Sequence, residues 1–421
     1  MSMKHYHPKA DSYWNFAPCL VVILALMLNA CVWENSEISP SDLPLDDSEY
    51  PYAGIPRIVI ETENFRSIRD TETKIPAKLQ IYGNTSPESD VKDLSIRGRG
   101  FSSFIGMPKY SIKLKFDTKY SFLGMPKDKE WALIANSADR TLLKNFITYK
   151  LSNWLGMDYV PQTKFVEIFL NRKYMGVFLL VETVKVSPNR VNICENASCF
   201  LFEKSKRPKA SDVVVTTTKS LEFFVKSPNK NQPKSLHILK QHLDSLEARL
   251  SQNQLDDIEE WIDIDSFIKF YWIQEFSKNL DGNFDKSIFL TWEAGDPIHF
   301  GPVWDFDLAY GGTSENNVHT TDGWYIKKSP WNREILSKKE IQLQAKKFWK
   351  ENQDIFKSLP DSIKKYSREL EPATKNEFKR WPVLKNTENW TYQEPYKSYD
   401  EAVDSLNSWI SQRIQWIDKN L

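Results

Sequence analysis

"GPVWDFDLAYGG", residues 301–312, runs an apolar stretch from Pro302 to Trp304 straight into Asp305 and Asp307, which flank Phe306. Carboxylates leaving the end of a buried strand are costly to desolvate unless a cation meets them. A partner is found upstream in "KNLDGNFDKSIFLTW", 278–292. There a helix is expected to end near Asn279, Asp281-Gly282 turns the chain, and strands at 286–292 and 298–304 lead back to Asp305. An aspartate on such a turn is placed to accept a hydroxyl proton. A cation held between Asp281 and Asp305 would account for both acids. Read singly each motif is ordinary, since Asp-Gly turns are common and "DFD" is three letters long; the spacing carries the signal.

Outward from this pair, the chain divides into two kinds of sequence. From 56 to 230 it is mainly strand-like: "RIVIET" (57–62), "AKLQIYG" (77–83), "DLSIRG" (93–98) and "YSIKLKF" (110–116) cluster or alternate β-branched and aromatic residues. One helix is expected over 138–155, with Ser137 as its cap and Leu142, Phe146, Tyr149 and Leu155 at helical spacing. A hairpin follows at 163–183, turning at Asn171–Lys173. From 233 the pattern is helical, over 234–251, 254–280, 333–380 and 397–420. This order predicts an α+β fold in two lobes, a strand-rich N-lobe at 56–230 and a helical C-lobe at 231–421.

Two further segments of the strand-rich half carry chemistry. In "IRGRGFSSFIGMPKYSIKLKF", 96–116, Gly98, Gly100 and Gly106 lie with Ser102 and Ser103 between two strands, where backbone N–H groups can approach a polyphosphate. Lys109 and Lys113 follow. Ile112, Leu114 and Phe116 face the core there, which leaves Ser111, Lys113 and Lys115 on the other face; the plain alternative is a glycine turn beside a solvated basic surface. Glu182 ends the apolar strand "GVFLLVE", where it could meet a nucleotide sugar or a basic residue, and Glu203 in "FLFEKS" is a weaker case of the same kind.

The N-terminus reads as a targeting segment. Lys4 and Lys9 precede the apolar run 16–28, too short for a spanning helix, and "LNAC" (28–31) ends in Cys31. Residues 1–30 thus look like the signal peptide of a bacterial lipoprotein acylated at Cys31, followed by a flexible tether over 31–55. The expected location is the cell envelope, with the lipid anchor holding the chain to a membrane. Lys+Arg and Asp+Glu balance at 56 each, so no global field points to nucleic acid. Fifteen Trp indicate a substantial core. Cys194 and Cys199 suit a short-loop disulfide in an exported protein, and the cysteines and histidines show no zinc spacing.

Together, "IRGRGFSS…PKYSIKLKFD", "EWALIANSADRTLLKNFITYKLSNWLG", "FVEIFLNRKYMGVFLLVETV", "KNLDG" and "GPVWDFDLAYGG" resemble the CotH kinase family, firmly over about 90–315 and loosely through Trp416. The resemblance implies an atypical protein-kinase-like fold that uses ATP and Mg²⁺ to phosphorylate Ser/Thr of exported or coat proteins. It implies Asp281 as the catalytic-loop aspartate and Asp305 as the magnesium aspartate, with Asp307 a second metal contact or a helix cap. Arg97, Lys109 and Lys113 become phosphate-side cations. A metal-binding Asn five residues after the base is conventional, but that position is Lys286, leaving Asn283 or Asp285 to substitute. The helix at 138–155 has no Glu to pair with a lysine. An exported chain also meets little ATP, which keeps open a non-catalytic kinase-like lipoprotein recognising a glycan or surface protein; a glycosidase using Asp281 and Asp305 has no motif support.

Overall fold

Seven strands alternate apolar and polar residues and roll into a closed barrel. In the computed structural model, which describes residues 45–84, 88–100, 102–206, 212–228, 232–385 and 395–421, these are β1 (Arg57–Thr62), β2 (Ile75–Tyr82), β3 (Lys92–Arg99), β4 (Ser111–Tyr120), β5 (Asp128–Ile134), β6 (Thr163–Leu170) and β7 (Lys173–Glu182). Their order is β1-β2-β3-β4-β5-β7-β6. Neighbours are antiparallel except that β1 closes on β6 in parallel, Ile58 opposite Ile168. One face of every strand fills the lumen, with Ile58, Leu79, Ile96, Leu114, Trp131 and Phe178 in one apolar cluster; truncating a ring such as Trp131 there would cost about 3–5 kcal/mol. Asn171 and Arg172, both at positive φ (51° and 63°), make the β6–β7 turn; two left-handed residues match the twist of a two-residue hairpin.

A second sheet lies beyond the barrel. It comprises β8 (Cys199–Lys204), β9 (Val213–Thr216), β10 (Glu222–Ser227), β11 (Ile288–Glu293) and β12 (His299–Phe300), in the order β12-β11-β8-β10-β9. It takes strands from both sides of position 230, so the strand-rich and helical stretches interlock. Cys194 and Cys199 are joined at the start of β8.

The helices are α1 (Ser102–Gly106), α2 (Lys144–Trp154), α3 (Pro233–Ser251), α4 (Ile264–Ser277), α5 (Asn332–Ile335), α6 (Lys339–Glu351), α7 (Gln353–Lys357), α8 (Leu359–Arg380) and α9 (Tyr399–Asn420). The fold is α+β. α4 is apolar nearly all round and is buried at its centre, where Trp272 and Phe276 meet Trp349 and Phe356. No helix of the described residues is long and apolar enough to cross a membrane.

Four expectations change. The helix placed at 138–155 starts only at Lys144, because the Asp139 carboxylate, not Ser137, holds its first turn by accepting the Lys144 N–H at 2.8 Å; Ser137 donates instead to the Lys109 carbonyl. The helix expected at 254–280 begins at Ile264, and the span 333–380 breaks into four pieces. The tether expected over 31–55 packs from Leu45 onward. Arg57, fully buried, pulls it in by pairing with Asp47 and Glu167, and Tyr50 stacks on Tyr174 at 4.3 Å. The signal peptide and Cys31 lie outside the described residues.

Candidate active site

Asp281 owes its place to the end of α4. That helix stops at Lys278, whose left-handed backbone (φ 43°) turns the chain away and whose ammonium is gripped by the carbonyls of Asn317, Thr320 and Asp322. Three residues on, Asp281 is buried with its Oδ1 3.2 Å from the Lys286 ammonium. Burial and then the Asp305 charge push its carboxyl up to about 7, against the pull of Lys286. On Lys286, burial is outweighed by Asp281, Asp305 and Asp285, which hold the ammonium above its ordinary value.

Asp305 arrives from β12 in a strained conformation. Its φ of 70° is a region that residues with a side chain seldom occupy, and such strain persists only where neighbours impose it. They are on hand: Asn279 donates to the Asp305 carbonyl at 3.1 Å, Ser287 to its carboxylate at 3.3 Å, and the Asn145 side-chain oxygen accepts the Phe306 N–H at 2.8 Å. Tyr149 lines the same cleft, where burial and then the Asp305 charge keep its hydroxyl protonated. Burial, followed by the like charge of Asp305, drives the Asp307 carboxyl well above the usual range.

Across a cleft of about 470 Å³, the barrel supplies Arg99 and Gly100, and Ser111 stands directly opposite Arg99 on β4. The Arg99 guanidinium lies 4.7 Å from the Trp304 ring. Burial lowers its proton affinity and Asp305 restores part of it; a guanidinium stays charged throughout. Gly100, at φ 88°, exposes backbone at the mouth.

The other expected residues are distributed around this cleft. Arg97 shares the Arg99 face of β3 but donates to the Thr71 carbonyl. Gly98 points the other way, where a Cβ would stand 2.2 Å from the Phe104 ring and 2.7 Å from the Asp70 carbonyl oxygen, so its smallness serves packing. Ser102 opens α1, its side chain outside the described positions. Lys109 is buried away from the cleft, 2.7 Å from Glu377 of α8. Lys113 projects beside Ser111, with its ammonium 2.6 Å from Glu130 of β5. Glu182 turns into a cluster with Arg190 and Asp128 at one end of the barrel, where burial raises its carboxyl. Asn283 sits on the Asp281 turn.

Arg99, Asn145, Tyr149 and Lys286 complete the site without having been singled out in the sequence. For Arg99 the signal was present: Ser95, Arg97 and Arg99 alternate with Leu94 and Ile96, so the strand runs through the glycines. Asn145 and Tyr149 are polar residues four apart on one buried helix face.

The donor set suits a hard divalent cation in kind, although the oxygens of Asp281, Asp305 and Asp307 do not all lie within 4.8 Å of one another. The three carboxyls feel one another's charge, and the side-chain oxygens of Asn279 and Asn283 are buried without a donor among the described residues. All-oxygen sets of this kind suit magnesium. In comparison with known proteins, the family described as CotH kinase protein matches residues 94–417, most of the chain. No curated protein matches it.

Proposed function

The chain belongs to the CotH kinase family, and from that premise we propose that it is a lipid-anchored, exported kinase that transfers the γ-phosphoryl group of ATP to a Ser/Thr hydroxyl of a surface protein. The barrel and the helical part act as the two lobes of a kinase, and the nucleotide occupies the cleft between them. The observation that carries this reading is the meeting of Asp281 with the Asp305–Asp307 pair opposite the Arg99 guanidinium.

Asp305 and Asp307, with Asn279 or Asn283, would hold magnesium, which when bound supplies positive charge for the phosphate oxygens. Arg99 offsets the same negative charge from the barrel side, and Gly100 lets the chain approach it closely. Asp281 orients the acceptor hydroxyl and takes its proton as the oxygen bonds to the γ-phosphorus and the bond to the β-phosphate oxygen breaks, releasing ADP. Asn279 and Asn145 keep the backbone at Asp305 in its strained conformation, so the carboxylate needs no reorganisation during transfer. The export and anchoring rest on Lys4, Lys9, the apolar run 16–28 and Cys31.

One observation favours a second reading, a non-catalytic binding lipoprotein: Lys286 already neutralises Asp281, and Lys109 and Lys113 are both committed to carboxylates. Label transfer from γ-labelled ATP to a protein acceptor decides between them. The kinase reading expects transfer by the wild-type chain and loss in Asp281→Asn with nucleotide binding retained. Nucleotide binding without transfer in the wild type would establish the second reading.

A further inference from the structure

A second cavity, with about 980 Å³ of empty space, opens behind the Asp307 segment, between the start of α2, the 310–319 stretch and α9. Arg140 and Lys144 line one wall, Ser314 and His319 a second, and Ser405 and Trp409 a third. Beside Gly312, Lys144 brings an unmet ammonium to this lining. This residue is 5 % exposed, and no hydrogen bond or ion pair joins its ammonium to a described residue. Two carboxylates lie near enough to act on it, Asp139 and Asp307. Neither makes a hydrogen bond to it. Asp139 accepts the Thr141 N–H at 2.8 Å, the Thr141 hydroxyl at 2.6 Å and the Lys144 backbone N–H at 2.8 Å, and Asp307 acts on the ammonium only through its charge. Burial accordingly works against the Lys144 charge. Gly312 gives the ammonium its room, since a Cβ there would stand 2.6 Å from the nitrogen.

The ammonium has no hydrogen-bond acceptor among the described residues and faces a cavity rather than a packed core. The rest of the lining supplies matching donors. Arg140 adds a second cation, engaged in part by the Ser137 carbonyl and offset by the Asp139 charge, and Ser314 and Ser405 add hydroxyls. Trp409, pinned by its indole N–H on the His319 carbonyl at 2.7 Å, gives a rigid apolar wall. Donors on three walls suit a tetrahedral oxyanion, which offers three acceptor oxygens to the two of a carboxylate.

We propose that this cavity is a binding site for a phosphate monoester, with the oxyanion seated on Lys144 and Arg140 and the organic part against Trp409. The site does not depend on phosphoryl transfer in the neighbouring cleft. Occupancy is nevertheless felt there, because the Lys144 ammonium lies in the field of Asp307.

Titration calorimetry of the full chain with inorganic phosphate and with O-phosphoserine tests this, with acetate as the carboxylate control. Both phosphates are expected to bind and acetate to bind at least tenfold more weakly. Losing one charged hydrogen bond is worth about 1.5–3 kcal/mol, or roughly ten- to a hundredfold, so Lys144→Met should weaken binding by at least that lower factor. Ser314→Glu puts a carboxylate on an exposed rim position, where folding is undisturbed, and should do the same. Arg99→Ala should leave phosphate binding unchanged. Failure of the wild type to bind phosphate, equal binding of acetate, or binding that survives Ser314→Glu but disappears in Arg99→Ala would each overturn the proposal.

Discussion

Replacing Glu377 by Ala should destabilise the protein by about 3–5 kcal/mol, the cost of leaving one member of a buried ion pair uncompensated. The geometry sets that figure. Lys109 and Glu377 are each 3 % exposed, their charged atoms lie 2.7 Å apart, and the second Glu377 oxygen accepts the Val177 N–H at 2.7 Å. Removing the carboxylate leaves the Lys109 ammonium with one carbonyl, that of Val177 at 2.5 Å, and the face of the Phe178 ring at 4.7 Å. The double variant Lys109→Met/Glu377→Gln removes both charges while keeping an acceptor for Val177, and should recover to within roughly 1–2 kcal/mol of wild type. Urea unfolding of the wild type, Lys109→Met, Glu377→Gln and this double variant gives the coupling energy directly. A cost under about 1 kcal/mol for Glu377→Ala, or no coupling in the cycle, would show that the pair does not fasten α8 to the barrel. The double variant also probes function: if it folds but no longer binds nucleotide, Lys109 is a phosphate contact after all and the assignment of that part to Arg99 fails.

Two further outcomes follow from the packing. His242 is stacked between Trp261 and Trp292 at 4.9 and 4.0 Å, and burial lowers its pKa to about 4. The unfolded chain takes up that proton near pH 6.5 and the fold only near pH 4, so stability should fall as pH drops through this window, by roughly 2 kcal/mol after allowance for partial exposure; His242→Phe should keep the stack and flatten that slope in acid unfolding curves. Gly98→Ala, whose new methyl would strike Phe104 and the Asp70 carbonyl, should cost about 1–3 kcal/mol, read as a lowered melting temperature.

Strand alternation and a turn at Asn171–Lys173 made all but one of the barrel's strands legible, yet not its closure. β1 meets β6 through a parallel pairing more than a hundred residues apart, and nothing local in "RIVIET" names that partner. β5 escaped because "DKEWALI" opens on three charged residues. The convergence of Asp281 and Asp305 could be read because a strand pair separates them in sequence and returns the chain. The lysines could not be read in the same way. Lys109 finds Glu377 across 268 residues and Lys113 finds Glu130 on the adjacent strand, and composition alone cannot tell a lysine awaiting phosphate from one already paired.

A cleft that grips a magnesium nucleotide between Asp305 and Arg99 would register in thermal unfolding with ATP. At a ligand concentration a hundredfold above Kd, binding contributes about 2.7 kcal/mol. The wild-type melting temperature should therefore rise with Mg²⁺ and ATP together but not with ATP and a chelator, and the rise should vanish in Asp305→Asn and in Arg99→Ala. An unchanged melting temperature in the wild type, or an equal rise in Asp305→Asn, would contradict the account.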